Sequence, residues 1–568
     1  MKRRWKIPIL AGLAVALTLW FWPEREEGPV FRRPDPAGRP NIVLVVADDI
    51  GLRIGAYGDR LANTPNMDRL AREGVRFDRM YATSPVCAPS RSALITGLHQ
   101  QTLGTMHMRT TPEDKGRILG GASDFRYQAV PPEGVKAFPE RLRAAGYFAS
   151  NNAKTDYQFG EPFTIWDESG DGASWRHRPD GLPFFHMRTI MLTHESYGVT
   201  WWHWPRSLAD LAAQVRNAMT LGRYPRLTNP KDVTVPPWLV DAPDTRRQLA
   251  QMYDEAHAAD IELGRTLDRL REDGVLDSSI VIFTSDNGEG VPRGKRSLTE
   301  TGLRLPFIVR FPDGAMAGTV RDDLASFVDI APTVLAMAQV PRPDGLAGRD
   351  LFADPAPDYA FAAADRFENV TTRSKSVRDA RYTYIRNYRH DLPLLYPHKA
   401  RDMLPAMWDL EAAHKAGKLT QVQARYFQPM AAEELYDRQT DPDELTNLVY
   451  DPAQADNLAR LRLALDDFNA RVGDLSAVPE AEMVARMWLG GHQPATPAPT
   501  ARVADGHLFL ENALSAASIG WRLPTDPAEH WRLYTKPIPL DLLKGGLSAR
   551  AVRYGYAASD RLEWKAHD

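Results

Sequence analysis

The sequence predicts a large α/β domain, with a central sheet covered by helices, followed by a smaller α+β domain. Three observations carry this. Asn41 to Ala47 (NIVLVVA) and Ser279 to Thr284 (SIVIFT) are unbroken apolar, β-branched runs, the pattern of central strands buried on both faces. Each run ends in oxygen-bearing side chains, Asp48-Asp49 and Asp286-Asn287, at the strand end where open α/β sheets bind ligands. The composition then changes near Asp354-Pro355. Beyond it, strand-like Ser376 to Tyr388 and the run Glu434-Leu435-Tyr436-Asp437 precede a helical stretch from about Pro452 to Arg471, a separate α+β unit.

The bulk composition bounds the remaining possibilities. At 568 residues the chain exceeds what one core sustains. A net charge of −3 leaves no basic footprint for nucleic acid. A single cysteine excludes an intrachain disulfide, which suits the cytosol or a disulfide-free periplasmic protein. The N-terminus points to export. Lys2, Arg3, Arg4 and Lys6 precede the apolar run Ile7 to Trp22, the order of a signal sequence. Two versions stay open: a cleaved peptide, or an uncleaved signal anchor that tethers the protein to the inner membrane. The run is shorter than the ~20 residues that span a bilayer. No clear small-x-small cleavage site follows it, and Trp20-Phe21-Trp22 resembles an interfacial anchor. The expected segments are residues 1–22 as the signal, 23–40 as a Pro-rich linker, 41–355 as the catalytic domain, 356–478 as the α+β domain and 479–568 as a C-terminal extension. The expected location is periplasmic or exported.

Taken in order, the elements deliver a set of chemically useful side chains. Adjacent carboxylates at Asp48 and Asp49 repel unless solvated or bound to a cation. With Asp286 and Asn287 they offer hard oxygen ligands suited to Ca²⁺ or Mg²⁺. Thr64-Pro65 starts a helix with Met67, Leu70 and Ala71 on its apolar face. Val75 to Ala82 is a strand that leads into the turn Ser84-Pro85-Val86. Pro89 suits the first turn of the next helix, which places the sole cysteine, Cys87, at a helix N-terminus one turn before Arg91. That setting predicts a lowered thiol pKa, and a buried structural cysteine is the alternative. His107 and Arg109 follow closely and are candidates for contact with an anionic substrate. Phe138 to Ala145 reads as a short helix closed by Gly146, then Tyr147 to Asn151 as a strand delivering Lys154. Leu182 to Thr193 reads as a strand ending at His194. Trp201, Trp202 and Trp204 could stack on sugar rings or pack in a core. A helix over 245–273 carries Met252, Ala256 and Ile261 on one face. Leu305 to Phe311 is a strand, and a helix lies within 325–337. Mixed short strands fill the extension.

The motif around the cysteine adds to this reading. Cys87-Ala88-Pro89-Ser90-Arg91, continued by Thr96-Gly97, resembles the signature of the type I sulfatases, members of the alkaline-phosphatase-like superfamily. The resemblance spans roughly residues 40 to 475. It implies a mixed central sheet and a C-terminal antiparallel sheet. It also implies that a formylglycine-generating enzyme oxidises Cys87 to Cα-formylglycine, whose gem-diol attacks sulfur. Asp48, Asp49, Asp286 and Asn287 would hold Ca²⁺, with Mg²⁺ the second choice. Arg91, Lys154 and Lys295 would neutralise the sulfuryl oxygens, and His194 would protonate the leaving oxygen. Lys154-Thr155-Asp156 departs from the family's Lys-x-His pair: either another base acts in place of that His, or the Asp156 carboxylate takes over its role or binds substrate. The runs His107-Met108-Arg109 and Lys154-Thr155-Asp156 look most like the bacterial polysaccharide sulfatases and heparan N-sulfatase-like enzymes. The expected reaction is hydrolysis of sulfate esters, or N-sulfate, on a carbohydrate. The alternatives are a phosphate mono- or diester hydrolase of the same superfamily and an inactive, calcium-stabilised glycan-binding protein.

Overall fold

The computed structural model describes residues 28–108, 110, 126–197, 208–367, 370–398 and 400–565. The signal segment, Arg109 and the three clustered tryptophans lie outside the described residues. Among the described residues, no helix is long and apolar enough to cross a membrane.

A nine-stranded mixed sheet organises the large domain. Its strands are β1 (Asn41–Ala47), β2 (Val75–Tyr81), β3 (Phe148–Asn152), β4 (Glu168–Ser169), β5 (Phe184–Ile190), β6 (Ser279–Ser285), β7 (Arg304–Arg310), β8 (Thr319–Arg321) and β9 (Ala325–Ser326). They run in the order β4-β3-β5-β1-β6-β7-β2-β8, with β9 beside β2. β1 sits at the centre because both its faces are apolar. Ile42, Leu44 and Val46 enter one core layer, and Val43, Val45 and Ala47 enter the other. β3, β5, β1 and β6 are mutually parallel, while β7 runs antiparallel to both β6 and β2.

The parallel register fixes where the chemistry gathers. Ala47 lies opposite Ile190 on one side and Ser285 on the other. Asp48 and Asp286 therefore leave the sheet side by side. Lys154 follows two residues after β3 ends, on the same edge.

Helices cover the two faces. α1 (Pro65–Glu73) starts with proline and buries Met67 and Leu70. α2 (Cys87–Thr96) is buried over its whole length and closes on Gly97 at φ 72°. α3 (Phe138–Ala144) ends as expected. Gly146 at φ 88° lets its own N–H and that of Tyr147 bond back to the carbonyls of Arg143 and Leu142. α4 (Pro243–Glu272) buries Leu249, Ala256, Ala259, Leu263, Leu267 and Leu270. Its buried face is rotated from the expected one, so Met252 and Ile261 are only half-buried. α5 (Ile330–Met337) packs in the first core layer.

The strand expected over 182–193 is shorter in the structure. β5 ends at Ile190, and a 3₁₀ turn over Met191–Thr193 carries the chain to His194.

The smaller domain is a four-stranded antiparallel sheet of β10 (Ala360–Phe367), β11 (Val370–Arg378), β12 (Tyr382–Asn387) and β13 (Glu433–Asp437), backed by α6 (Ala455–Val472). β10 (AFAAADRF) is alanine-rich and carries little strand signal of its own; pairing with β11 holds it. The extension adds β14 (Thr500–Ala504), β15 (His507–Glu511), β16 (Ser518–Arg522), β17 (Arg532–Leu533), β18 (Ile538–Pro539), β19 (Leu547–Val552) and β20 (Leu562–Trp564). These form two small sheets around a shared apolar core.

Candidate active site

The side chains of the site stand on strand ends, on the loops that follow them and on the first turns of α2, which the sheet register brings together. Asp48, Asp49, Asp286 and Asn287 are almost wholly buried. Carboxylate oxygens of Asp48, Asp49 and Asp286 lie within 4.8 Å of one another and of the Cys87 sulfur. Asp49 takes the left-handed conformation, φ 55°, and its N–H donates to Asp286 Oδ1 at 3.3 Å. Asn287 donates from Nδ2 to Asp49 Oδ1 at 2.7 Å and to the Gly288 carbonyl at 2.9 Å. Its Oδ1 is buried with no hydrogen-bond partner. A buried acceptor left unmatched is costly. Set among three carboxylates, it fits a cation ligand, and the all-oxygen donor set suits a hard divalent ion.

Cys87 opens α2 directly above this cluster. Its thiol reaches Asp48 Oδ1 at 3.7 Å and Asp49 Oδ1 at 3.9 Å, and Lys295 Nζ donates to the sulfur at 3.3 Å. The lowered thiol pKa expected from the helix N-terminus is not what the fold produces. Burial pushes the thiol up to about 12; Lys154 and Lys295 pull it down, while Asp286 and Asp48 add to the rise. Removal from water outweighs the two lysines.

The rest of the signature locks this helix to the sheet. Ser90 Oγ donates to the Asp286 carbonyl at 2.6 Å. Arg91, fully buried, donates from Nε to Asp286 Oδ2 at 2.7 Å and from an amino group to Thr189 Oγ1 at 3.2 Å. Its other amino group stands 3.9 Å from Asp48 and makes no hydrogen bond.

Two lysines cap the carboxylates. Lys295 Nζ bonds both oxygens of Asp49 at 2.8 Å. Lys154 Nζ bonds Asp48 Oδ2 at 2.7 Å and lies 3.6 Å from Asp286 and 3.8 Å from Asp156. Burial alone would raise the Asp48 carboxyl; Lys154, His194 and Arg91 reverse that and hold it at about 2. Lys295 is placed by close glycine packing. A Cβ on Gly288 would strike the Thr301 carbonyl, and one on Gly302 would strike the carbonyls of Ser297 and Gly294.

His194 brings a ring nitrogen within the same 4.8 Å span of Asp48 and Cys87. Its Nδ1 receives the Ser196 N–H at 3.2 Å and lies 2.8 Å from Ser196 Oγ. A backbone donor on Nδ1 assigns the proton of the neutral ring to Nε2. Burial, then Lys295, lowers its pKa against the pull of Asp49 and Asp48.

Asp156, at φ 61°, stands beside Lys154. His107 is brought elsewhere. It is buried, its Nδ1 accepts from the Arg366 N–H at 3.3 Å, and its Nε2 lies 4.0 Å from Glu480.

Glu195 is the residue that sequence reasoning passed over, although it directly follows His194. Its N–H donates to Asp49 Oδ2 at 2.8 Å. Its carboxylate takes both amino groups of Arg296, at 2.8 and 2.6 Å, and lies 3.5 Å from Lys295. Arg296 in turn donates its backbone N–H to the Pro85 carbonyl at 2.8 Å, in the turn before Cys87. Nothing local marks Glu195 as a hub; a carboxylate beside a histidine is ordinary until the fold brings Arg296 to it.

A mixed sheet whose parallel edge gathers Asp48, Asp49, Asp286 and Asn287, beneath a helix that opens on Cys87 with Arg91, Lys154 and Lys295 around it, has the alkaline-phosphatase-like architecture. Comparison with known proteins narrows this. The Sulfatase family model matches residues 40–193 and 193–340, and the model described as N-sulphoglucosamine sulphohydrolase, C-terminal, matches 288–400. An ulvan-active sulfatase of Formosa agariphila is 35% identical over 556 residues, covering 93% of this chain and 92% of that one. Human N-sulphoglucosamine sulphohydrolase is 28% identical over 464 residues, covering 74% and 88%. A structure solved with its substrate, D-glucosamine-2-N,6-O-disulfate, shares the fold at a TM-score of 0.52 and 19% identity, covering 77% of this chain and 98% of that one. The chain belongs to the sulfatase family and is a sulfuric ester hydrolase.

Proposed function

We propose that this sulfatase removes sulfate groups from a carbohydrate, with Cys87 as the modified residue and Asp48, Asp49, Asp286 and Asn287 as the cation site. The observation that carries the reading is the unmatched buried Asn287 Oδ1 among three carboxylates, with Cys87 packed on them. Ca²⁺ suits these ligands better than Mg²⁺, which keeps more of its water. When bound, it supplies Lewis-acid stabilisation of charge on the sulfuryl oxygens. Formylglycine at position 87, made by a formylglycine-generating enzyme, supplies a hydrated aldehyde as the nucleophile.

The chain's own residues do the rest. Lys154, Lys295 and the unbonded amino group of Arg91 offer N–H donors to the anion. Arg91 and Lys295 are already buried beside the carboxylates. His194 holds its proton at Nε2 and donates it toward the leaving oxygen. Transfer of that proton uses the doubly protonated ring, whose Nδ1–H donates to Ser196 Oγ at 2.8 Å and whose charge Asp49 and Asp48 favour.

The polysaccharide reading draws on the ulvan-active relative. Its match leaves out 7% of this chain, less than the length of the extension, so the likeness reaches past the two domains shared with other sulfatases. Substrates of that kind occur outside the cell, and the basic-then-apolar N-terminus fits export, with or without a retained anchor.

The test is the mass of the tryptic peptide Met80 to Arg91 from protein made in its own host, together with sulfate release. Exchange of H₂S for oxygen at residue 87, and faster turnover of aryl or glycan sulfates than of the matching phosphates, are expected. An intact thiol in active protein would overturn the mechanism.

A further inference from the structure

The C-terminal extension does not stand apart from the active site. It is seated on the loop that carries Lys154. That loop follows β3 and takes left-handed conformations at Asp156, Gln158 and Gly160, φ 61°, 62° and 77°. Several contacts pin it. The Gln158 carbonyl accepts from the Ala129 N–H at 2.8 Å, and the Phe159 carbonyl accepts from the Gly555 N–H at 3.2 Å. Tyr157, Phe159 and Tyr554 stack in sequence, with centroids 5.5 and 5.2 Å apart. Gly555, at φ 80°, has to be glycine, because a Cβ there would collide with the Ala129 carbonyl. Gln493 donates to Gln128 Oε1 at 2.8 Å and to the Gly555 carbonyl at 3.0 Å.

These contacts enclose a cavity of about 470 Å³, within the ordinary range of ligand pockets. Lys154 and Asp156 line it on the catalytic side, Phe163 and Glu161 at the base of the loop, and Gln493 and Tyr556 on the side of the extension. Lys154 belongs to both places. Its ammonium is bonded to Asp48, and its side chain keeps 14% exposure. The lining brings carboxylates, an amide and a phenol together with aromatic rings. A sugar ring presents the complement: hydroxyls around its edge and an apolar C–H face.

We infer that the extension completes a sugar subsite beside the sulfate centre, in which Gln493 and Tyr556 hold a ring of the glycan while Lys154 faces its sulfate. This deepens the sulfatase reading and rests on it. The subsite belongs to two parts of the chain about 340 residues apart, Lys154 to Asp156 and Gln493 to Tyr556. Neither part forms it alone.

The test uses the full-length enzyme and oligosaccharides prepared from ulvan and from heparan sulfate, each also in chemically desulfated form. For the double variant Gln493→Ala, Tyr556→Ala, KM for the oligosaccharide that the wild type desulfates rises about tenfold, with kcat within about twofold. Calorimetric affinity for the desulfated oligosaccharide falls by a similar factor, the scale of removing one hydrogen bond and one aromatic face from a bound sugar. Arg502→Ala, an exposed side chain on β14 of the extension, serves as the control and stays at wild-type values. Should the double variant melt early, Tyr556→Phe alone, which keeps the ring and removes only the hydroxyl, carries the comparison, with the rise in KM and the loss of affinity each about threefold or more. Wild-type KM and affinity in a folded double variant would overturn the subsite and leave the sulfatase reading standing. No sulfate release by the wild type from any of these glycans or from 4-nitrophenyl sulfate would count against that reading instead.

Discussion

Replacing Glu195 by glutamine tests whether the cation ring is held from behind. In the native site the Glu195 carboxylate accepts both Arg296 amino groups and faces Lys295 at 3.5 Å, and the side chains of Glu195 and Arg296 are each only 8% exposed. The amide keeps the shape and one acceptor, but it removes the negative charge. Arg296 and Lys295 then stay buried with less to balance them. Breaking a buried ion pair from one side costs about 3–5 kcal/mol, and the surviving hydrogen bond to a charged group offsets about 1.5–3. A net loss of about 2 kcal/mol is expected in urea unfolding followed by tryptophan fluorescence. The pH dependence has a definite sign. Burial raises the Glu195 carboxyl, but Arg296 and Lys295 outweigh it and hold the group well below the ordinary carboxylate range. A depressed carboxyl contributes stability that is complete above its unfolded pKa and is lost as pH falls through its folded value. The gap between wild type and variant should therefore be constant from pH 6 to 8 and shrink in acid, below about pH 4.5. A stability loss under about 0.5 kcal/mol, or a gap that widens in acid, would refute the reasoning.

Three further outcomes follow from the site. Asn287→Ala removes the unmatched acceptor and should weaken Ca²⁺ binding by at least about tenfold, read as the calcium dependence of the melting temperature, while EDTA lowers the melting point of the wild type. His194→Asn should cut kcat by about 10²–10⁴ on sugar sulfates and far less on 4-nitrophenyl sulfate, whose leaving group needs no proton; equal losses on both would show that His194 is structural. Gly288→Ala forces a Cβ into the Thr301 carbonyl; a drop in soluble yield and a loss of about 3 kcal/mol are expected, and a normal urea midpoint would show that the loop yields.

What the chain determined by itself is local. β1 and β6 announce themselves because strands buried on both faces must be apolar throughout, and the polar residues at their ends then stand out. The Cys87 to Gly97 run is legible because a helix start, its cap and its anchoring side chains lie within a few residues of one another. Tertiary structure decided the quantities that depend on distant neighbours. The direction of the Cys87 thiol shift was set by burial beneath the surrounding elements, against the pull of Lys154 and Lys295. The role of Glu195 required Arg296, about a hundred residues later, to be folded back onto it. The helix over 245–273 was evident, yet which face it buries was settled by the sheet it meets. The extension reads as a tail of short strands until Gly555 packs against Ala129 and the Lys154 loop. Periodicity and motifs report the environment a residue needs; which distant groups supply that environment, and how far they shift a charge, is fixed only by packing.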